Sequence, residues 1–534
     1  MVRYYVTIGK KEKIMLLPSI LSTALSVLLF LSPTLTHAIA LPASQPPVYE
    51  GTLSLIADTT GSKELTFSYS IVSSAKNNWV GIYPASGGGP VEEKYVSNSL
   101  VWKYIPDTTN GIVKLDVGSL ANGEYIAFLL AKDGYKWLSK PVYVSLQNNN
   151  NGGNGNNVVG FLVETVTLKN GRQGDGYSAK IAGLVTPGYK PRFEKLSGDG
   201  WVSVSADGVI SGVPDRARDS TITIRATIPT TGQSSTLKAM IPVKRSGSSL
   251  VPDLKVMTFN LWWGGTYVNN YHAKQIKFII STNVDIIGLQ EAHGGHVQRL
   301  ADALGWYFWQ PKSGDLGIIS RYPIVEDYGL ANASGGVRIS LDGTDQQVNF
   351  WNMHLGYDPY GPYDFCFDKM SVEKVLQREA QSGRTPQIVD TLKAMGPQIR
   401  QAWNIPVILV GDANAPSHLD WTEELRSKNC GYANIPWPTS TKPAEVGLID
   451  SFRIANPNPV EVPGITWSPI YPFHNGGTGK VEPQDRIDFI YHTGSRLQVV
   501  ESKSLVVGRP GVHGSHRDNE WTSDHAVVVT SYKL

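Results

Sequence analysis

The C-terminal half of this chain contains a set of apolar, strand-like runs, each with polar residues at or beside one end. The runs are LKVMTFNLW, VDIIGLQE, VNFWNMHLG, IPVILVGDAN, RIDFIYH and SDHAVVVTSY. Neighbouring strands of an open α/β sheet bring their ends to one rim, where functional groups of such proteins cluster. The polar residues so placed are Asn260, Glu291, His354, Asp412, Asn414, Asp488, Asp524 and His525. We therefore expect one site built from all of these side chains.

Four carboxylates, two amides and two imidazoles at one rim require a cation, because uncompensated carboxylates repel each other and resist desolvation. Carboxylate and amide oxygens suit Mg²⁺ or Mn²⁺. The chain has two cysteines and no HExxH motif, which argues against a zinc-hydrolase site. Because Mg²⁺ prefers phosphate oxygens, this set of residues predicts hydrolysis of a phosphoester.

The order of short motifs in 250–534 resembles that of the endonuclease/exonuclease/phosphatase superfamily. The motifs are TFNLW, GLQE, GIISRYPI, NMHLG, VGDANAPS, DRIDFIYH and SDHAVV. The resemblance implies a four-layer α/β sandwich of the deoxyribonuclease I type, in which two mixed sheets pack face to face with helices outside. It also implies a metal-dependent phosphoester hydrolase.

The resemblance assigns a role to each polar residue. The implied metal-binding residues are Asn260, Glu291 and Asp524. The implied catalytic residues are His354, Asp412, Asn414, Asp488 and His525. In this assignment Asp488 orients the imidazole of His525, and Asp412 with Asn414 positions the attacking water. We expect Asp485 and Arg486, beside Asp488, to be surface or loop charges.

The first forty residues predict a secretory signal. Basic residues precede an apolar run from Ile14 to Leu31, and small residues follow at Ala38 and Ala40. A retained membrane anchor is the alternative, because the run nearly suffices to span a bilayer. We expect cleavage and a secreted, extracellular protein.

Composition divides the remainder of the chain at two points. The segment 147–157, QNNNNGGNGNN, is polar and Gly-rich, which predicts a flexible linker, and a short break follows at 245–249. The predicted folded units are 47–146, 158–245 and 250–534. In the first two units alternating runs predict all-β sandwiches. Their NWVGIYP and DGVISGVP motifs resemble immunoglobulin- or fibronectin-like modules, with a spacer or binding role.

The loop after His354 contains tyrosines that are candidates for substrate contact. Tyr357, Tyr360 and Tyr363 could stack on a base or sugar or contact a lipid, and a locally packed loop is the alternative. Residues 250–534 contain 24 Lys and Arg against 29 Asp and Glu, which disfavours tight binding to duplex DNA.

These features place small or lipid-borne phosphodiesters, as for a sphingomyelinase or phospholipase C, slightly ahead of nucleic acid. The alternatives are an extracellular deoxyribonuclease or ribonuclease, a phosphomonoesterase for inositol phosphates, and a noncatalytic surface-binding protein. Nucleic acid and a transient membrane surface stay open as partners. Nothing indicates an obligate protein partner.

The two cysteines are predicted to lie near the tyrosine loop. Cys366 lies in the tyrosine segment and Cys430 lies 18 residues after Asp412, so both are expected near one rim. In an oxidising compartment a disulfide between them would tether the loop. Two unpaired buried thiols are the alternative.

Overall fold

The computed structural model describes residues 49–57, 64–84, 89–91, 93–120, 123–146, 160–187, 189–229, 232–474 and 479–534. The predicted signal at 1–40 and the predicted linker at 147–157 lie outside these residues. Within the described ranges no helix has both the length and the apolar character needed to cross a membrane.

The first region consists of strands that form two larger sheets around one core and a further sheet of two short strands. The strands are β1 Gly51–Ala57, β2 Glu64–Ile71, β3 Trp79–Pro84, β4 Pro90–Val91, β5 Lys94–Tyr95, β6 Val101–Tyr104, β7 Asn110–Asp116, β8 Gly123–Leu130 and β9 Val142–Leu146. One sheet has the order β1-β2-β7 and the other β6-β3-β8-β9. Along β2 every second side chain is buried, so apolar residues from both sheets meet in one core.

The second region is also built from strands. They are β10 Thr165–Thr167, β11 Gly171–Arg172, β12 Tyr177–Lys180, β13 Arg192–Ser197, β14 Val202–Val204, β15 Val209–Gly212, β16 Ser220–Thr227, β17 Ser234–Ile241 and β18 Val243–Lys244. The main sheets have the orders β10-β17-β16-β13 and β12-β15-β14. Strand-rich folding of both N-terminal regions is confirmed, whereas their immunoglobulin-like identity and the unit boundaries stay predictions.

The C-terminal region alternates strands and helices. Its strands are β19 Asp253–Asn260, β20 Ile286–Gln290, β21 Tyr307–Trp309, β22 Gly317–Ser320, β23 Ile324–Ala331, β24 Ser334–Asp342, β25 Gln346–His354, β26 Val407–Asp412, β27 Ile449–Asp450, β28 Asp488–Thr493, β29 Gln498–Leu505 and β30 Val527–Lys533. Its helices are α1 Tyr271–Thr282, α2 His296–Leu304, α3 Gly361–Cys366, α4 Val372–Gln381, α5 Arg384–Arg400, α6 Pro438–Glu445 and α7 Ser451–Ala455. Each apolar run noted in the sequence forms a strand, as predicted.

Two mixed sheets of six strands pack against each other in this region. Their orders are β21-β22-β20-β19-β30-β29 and β23-β24-β25-β26-β28-β27. Side chains from both sheets, such as Val256 and Phe350, share one core, which confirms the predicted pair of facing sheets. Helices α1 and α2 pack on the outer face of the first sheet, and α5 packs on the outer face of the second.

The side chains of the central strands alternate between the inter-sheet core and the helix layers. On β19, Val256 points into the core between the sheets, while Met257 packs toward α1 and α2. On β26, Val410 points inward and Leu409 packs toward α5. Because successive strand residues face opposite sides, Asn260 and Asp412 continue the inward register of Val256 and Val410. Polar residues thus replace apolar ones at one edge of the inter-sheet core.

The second strand-rich region packs directly on the C-terminal region. Apolar residues of both regions form one continuous core that includes β16, β17, α1 and α2. Arg321 donates hydrogen bonds to the carbonyl oxygens of Val284 (2.8 Å) and Thr167 (3.1 Å), so it joins the two regions. A Cβ on Gly183 would lie 2.2 Å from the carbonyl oxygen of Asp302 in α2. This close approach requires glycine at position 183.

Candidate functional site

Strand register brings the predicted site residues to one edge of the two sheets. On the second sheet His354 of β25 pairs with Asp412 of β26, and Asp412 pairs with Asp488 of β28. On the first sheet Asn260 ends β19 beside the last residue of β20, which Glu291 follows directly. Asp524 and His525 lie just before β30, which runs antiparallel to β19 and therefore begins at the same edge. The two facing sheets thus contribute opposite walls of one site.

His525 and Asp488 form a buried hydrogen-bonded pair. His525 Nδ1 lies 2.9 Å from Asp488 Oδ2, and its Nε2 lies 3.7 Å from Asp412 Oδ2. Burial alone would lower the pKa of His525, but the charges of Asp488 and Asp412 outweigh this effect and raise the pKa well above its ordinary value. The imidazole is therefore held as a cation that presents Nε2 to the site.

His354 lies on the opposite side of Asp412 in a second imidazole–carboxylate pair. His354 Nε2 is 3.7 Å from Asp412 Oδ2, and its Nδ1 is 2.5 Å from Asp315 Oδ2. Burial opposes protonation, yet the bond to Asp315 and the charge of Asp412 raise the pKa of His354 to about 9. Two cationic imidazoles therefore converge on one carboxylate.

Asp315 was absent from the predicted site. It lies two residues before β22, where a single acid in SGDLGII gives no periodic signal. Its position beside His354 depends on a contact between residues 39 apart in sequence. The sole sequence indication is that Asp315, like the predicted residues, adjoins an end of an apolar strand.

Asn260 connects the metal-binding candidates. Its Nδ2 donates to Glu291 Oε1 (3.3 Å) and to Asp412 Oδ2 (3.1 Å), while its Oδ1 accepts from the backbone N–H of Trp262 (3.0 Å). Glu291 Oε2 also accepts from the backbone N–H of Trp263 at 2.9 Å. These bonds fix the direction of the Glu291 carboxylate, which is only partly buried and so remains accessible from solvent.

The carboxylates at this edge fit a hard divalent cation. Asp524 is buried, and within the described part of the chain its Oδ1 has no hydrogen-bond partner; the same holds for Asp488 Oδ1. Burial raises the pKa of Asp524 to about 8, with the charge of His525 opposing the rise and those of Glu291 and Asp412 adding to it. A bound cation would offset both the desolvation and the repulsion.

The tightest group of possible ligand atoms differs from the predicted set. Asp412, Asp488 and His525 each offer one ligand atom, and these atoms lie within 4.8 Å of one another. Nδ1 of His525 already bonds to Asp488, however, and a protonated imidazole does not bind a metal. We therefore favour the carboxylate oxygens of Glu291 and Asp524, with Asp412 adjacent, as the place for a cation.

Asn414 lies at the same edge with its backbone in the left-handed region, at φ 49°. Its backbone N–H donates to Asp412 Oδ1 at 2.8 Å, and its side-chain amide donates to the carbonyl oxygen of Leu355 at 3.0 Å. The turn therefore fixes both oxygens of Asp412. This arrangement is compatible with the predicted roles of the two residues, which the structure does not test.

The tyrosine segment is largely packed against buried acids. Tyr357 is 75% exposed, whereas Tyr360 is buried and donates to Asp485 Oδ2 at 3.0 Å. Tyr363 donates to Glu482 Oε1 at 2.5 Å. A disulfide joins Cys366, at the end of α3, to Cys430. Of the three tyrosines, Tyr357 has the exposed ring that substrate contact would need.

Asp485 and Arg486 lie in the loop before β28, as one of the two expectations had it, but both are buried, so the expectation of surface charges is wrong. Asp485 accepts hydrogen bonds from Trp421 and Tyr360, and burial raises its pKa to about 6. Arg486 is buried between Asp420 and Asp450, at 2.8 and 2.7 Å. Both acids lie far from Arg486 in sequence, so no local pattern predicts the pairing. The network supports the start of β28 and therefore the position of Asp488.

Comparison with known proteins gives the following similarities. The family described as Endonuclease/Exonuclease/phosphatase family matches residues 257–525, which is half of the chain. An uncharacterized protein of Caenorhabditis elegans, F14F9.5, is 34% identical over 292 residues, covering 52% of this chain and 91% of that protein.

Solved structures are similar to about half of this chain. Truncated TDP2 of Caenorhabditis elegans has 16% identity and a TM-score of 0.33, covering 53% of this chain and 98% of that one. The human Nocturnin catalytic domain with bound sulfate has 17% identity and a TM-score of 0.33, covering 53% of this chain and 96% of that one. The family match, with the carboxylate and imidazole residues found at one edge of the facing sheets, shows that this chain belongs to the endonuclease/exonuclease/phosphatase family, whose members are hydrolases of phosphoester bonds.

Proposed function

We propose that this protein is a secreted, divalent-metal-dependent phosphodiester hydrolase. The observation that carries the proposal is the position of two cationic imidazoles, His525 and His354, on either side of Asp412 and next to a cluster of buried acids. This arrangement offers hydrogen-bond donors to a phosphoryl group and carboxylate oxygens to a metal and to water.

Each residue has a distinct task in this proposal. His525 and His354 donate hydrogen bonds through Nε2 to oxygens of the phosphoryl group, and Asp488 and Asp315 keep the two rings oriented and charged. Asp412, with one oxygen bonded to the Asn414 backbone, orients the attacking water. Mg²⁺ or Mn²⁺ bound at Glu291, Asp524 and the neighbouring Asn260 would neutralise charge on the phosphoryl and leaving groups. No residue of the set is required to form a covalent intermediate.

Secretion and the character of the N-terminal regions belong to the same proposal. The signal-like start of the chain and the disulfide between Cys366 and Cys430 support an oxidising, extracellular compartment. The sheets β1-β2-β7 and β6-β3-β8-β9 around one core support an immunoglobulin- or fibronectin-like module in the first region. We propose a spacer or binding role for it.

The decisive experiment compares substrates with and without metal. Purified protein treated with EDTA and then resupplied with Mg²⁺ or Mn²⁺ is assayed on bis-p-nitrophenyl phosphate, oligonucleotides, sphingomyelin vesicles and inositol phosphates. We expect metal-dependent release of p-nitrophenol, which His525→Ala abolishes. Full activity in EDTA, or cleavage of phosphomonoesters alone, would contradict the proposal. Val512→Ala, an exposed change in the loop 506–520, serves as the matched control.

A further inference from the structure

A connected set of aromatic and imidazole rings borders the site and is not used by the proposed mechanism. It begins with Trp467, whose ring lies 5.0 Å from that of the site residue His525. Trp467 stacks on Tyr471 at 5.4 Å, and Tyr471 stacks on His513 at 4.8 Å with 23° between the ring planes. His513 stacks in turn on His516 at 5.0 Å with 17° between the planes.

The same set returns to the site at its other end. His516 lies 4.9 Å from the ring of Trp262, whose backbone N–H donates to the side chain of Asn260. Tyr267, which is 43% exposed, packs on Trp262 at 4.5 Å. Both ends of the set therefore adjoin predicted site residues, His525 and Asn260. We call these rings, Trp467, Tyr471, His513, His516, Trp262 and Tyr267, the ring arc.

A second stacked pair lies beside Glu291. Trp263 donates its backbone N–H to Glu291, is 48% exposed and stacks on His293 at 4.7 Å with 26° between the planes. The exposed part of this tryptophan ring does not contribute to the stability of the fold. It does offer a flat apolar surface within reach of whatever group binds at Glu291.

The loop that carries the two arc histidines is held in place by backbone hydrogen bonds. Residues 506–517 contain Arg509 and Arg517 beside both histidines, and the acids Asp518 and Glu520 follow directly. The loop is fixed at two points: His513 N–H donates to the Ile470 carbonyl at 2.8 Å, and Asn269 N–H donates to the Arg517 carbonyl at 2.6 Å. These two backbone hydrogen bonds therefore fix the loop that carries the imidazoles.

The tautomer of His516 allows it to donate a hydrogen bond to an anion. His516 Nδ1 accepts a 3.0 Å hydrogen bond from the Gly514 backbone N–H, which leaves Nε2 as the protonated nitrogen. A phosphate oxygen is a suitable acceptor for this Nε2–H group.

We infer that His513 and His516 bind a second phosphate of a single-stranded polynucleotide, and that Trp263 stacks on a base beside the scissile phosphate. The inference rests on the proposed function and deepens it by naming the substrate class. Single-strand binding sites combine polar or cationic groups for the backbone with aromatic rings for successive bases. Both kinds of group border this site: the imidazoles of His513 and His516 on one loop, and the exposed ring of Trp263 beside Glu291. This revises the sequence-based preference for lipid-borne phosphodiesters.

The test compares substrates that differ in the second phosphate. Wild type and the double variant His513→Asn/His516→Asn are assayed with Mg²⁺ on a single-stranded oligothymidylate and on bis-p-nitrophenyl phosphate, which has one phosphate. Asn preserves an acceptor at the Nδ1 position, so the bond from Gly514 can persist. We expect the ratio of kcat/KM for oligothymidylate to kcat/KM for bis-p-nitrophenyl phosphate to fall about tenfold or more, because the variant lacks both imidazole donors. Val512→Ala, in the same loop, should leave the ratio at its wild-type value.

A second variant tests the base contact separately. Trp263→Ala should lower, by about tenfold, the ratio of kcat/KM for oligothymidylate to that for an abasic strand of equal length, because stacking needs the base. An unchanged ratio would overturn the stacking role.

The remaining outcomes separate the inference from the proposed function. Equal losses on both substrates in the double histidine variant would mean that the pair serves the site itself, and the inference would fail. Hydrolysis of bis-p-nitrophenyl phosphate or sphingomyelin vesicles without hydrolysis of the oligonucleotide would overturn the inference and leave the proposed function standing. Absence of hydrolysis of every phosphodiester would overturn the proposed function. Thermal unfolding of each variant near the wild-type Tm is required for these comparisons.

Discussion

Replacing Asp315 with Asn should shift the alkaline limb of the pH profile of kcat to lower pH. Asp315 Oδ2 lies 2.5 Å from His354 Nδ1. Burial lowers the pKa of His354, but this bond and the nearby carboxylates outweigh burial and raise the pKa to about 9. The amide of Asn keeps the shape of the carboxylate and removes its charge. If the charged form of His354 is the active form, the variant loses activity at a lower pH than wild type.

The magnitude follows from the pKa of His354. A rise from 6.5 to about 9 corresponds to about 3.4 kcal/mol in favour of the imidazolium. Burial opposes this rise, so the attractions of Asp315, Asp412 and Glu291 together exceed it. Loss of the Asp315 charge should therefore lower the pKa of His354 by at least roughly 1 to 1.5 units. The ratio of variant to wild-type kcat should then fall about three- to eightfold between pH 6.5 and pH 8.5.

The assay is hydrolysis of bis-p-nitrophenyl phosphate from pH 6 to pH 10 with saturating Mg²⁺. Asp345→Asn, which changes an exposed acid, is the control for loss of a charge as such. The ion pair stabilises the fold fully below about pH 6.5 and loses this effect as pH rises through about 9, because the folded-state pKa of His354 is the raised one. The Tm difference between wild type and variant should therefore be largest near pH 6. A folded variant whose alkaline limb coincides with that of wild type would refute the reasoning.

Three further predictions use other parts of the structure. Glu291→Gln should remove most metal-dependent turnover at unchanged Tm, because Gln has almost the same shape as Glu but lacks the negative charge that binds the metal. Turnover within about twofold of wild type would exclude Glu291 as a main ligand. His525→Ala and Asp488→Asn should each lower kcat by about 10² or more, and the double variant should be little worse than the worse single one, because the 2.9 Å pair acts as a unit. Gly183→Val should lower the free energy of unfolding by about 1–3 kcal/mol in denaturant titration, because its Cβ would meet the Asp302 carbonyl at 2.2 Å; kcat per folded molecule should persist.

The strands and their polar ends were predictable because both depend on local sequence. An apolar run such as VILVG, followed at once by Asp412, marks a buried strand and its end whatever its neighbours are. The strand order and the pairing of Asp412 with Asp488, 76 positions apart, were not predicted, because they follow from no local pattern.

The missed features all depend on contacts between distant residues. Asp315 reaches His354 across 39 positions, and Arg486 is neutralised by Asp420 and Asp450, at 66 and 36 positions. Arg486 was expected to be exposed because its side chain is charged. A charged side chain can nevertheless be buried where oppositely charged residues surround it. The packing of the tyrosine segment has a related cause, since Glu482 and Asp485 accept hydrogen bonds from the hydroxyl groups of Tyr363 and Tyr360.

In the proposed function, chemistry and substrate choice depend on different parts of the chain. His354, Asp412 and Asp488 continue the inward register of their strands, so the packing of the inter-sheet core fixes their positions. His513 and His516 lie on a loop whose backbone bonds hold it at the mouth of the site, outside that core. A change in the core should therefore alter kcat on every substrate together, whereas a change in the ring arc should alter the ratio between substrates. This division explains why the family can be recognised from strand ends, while the substrate has to be determined from loops.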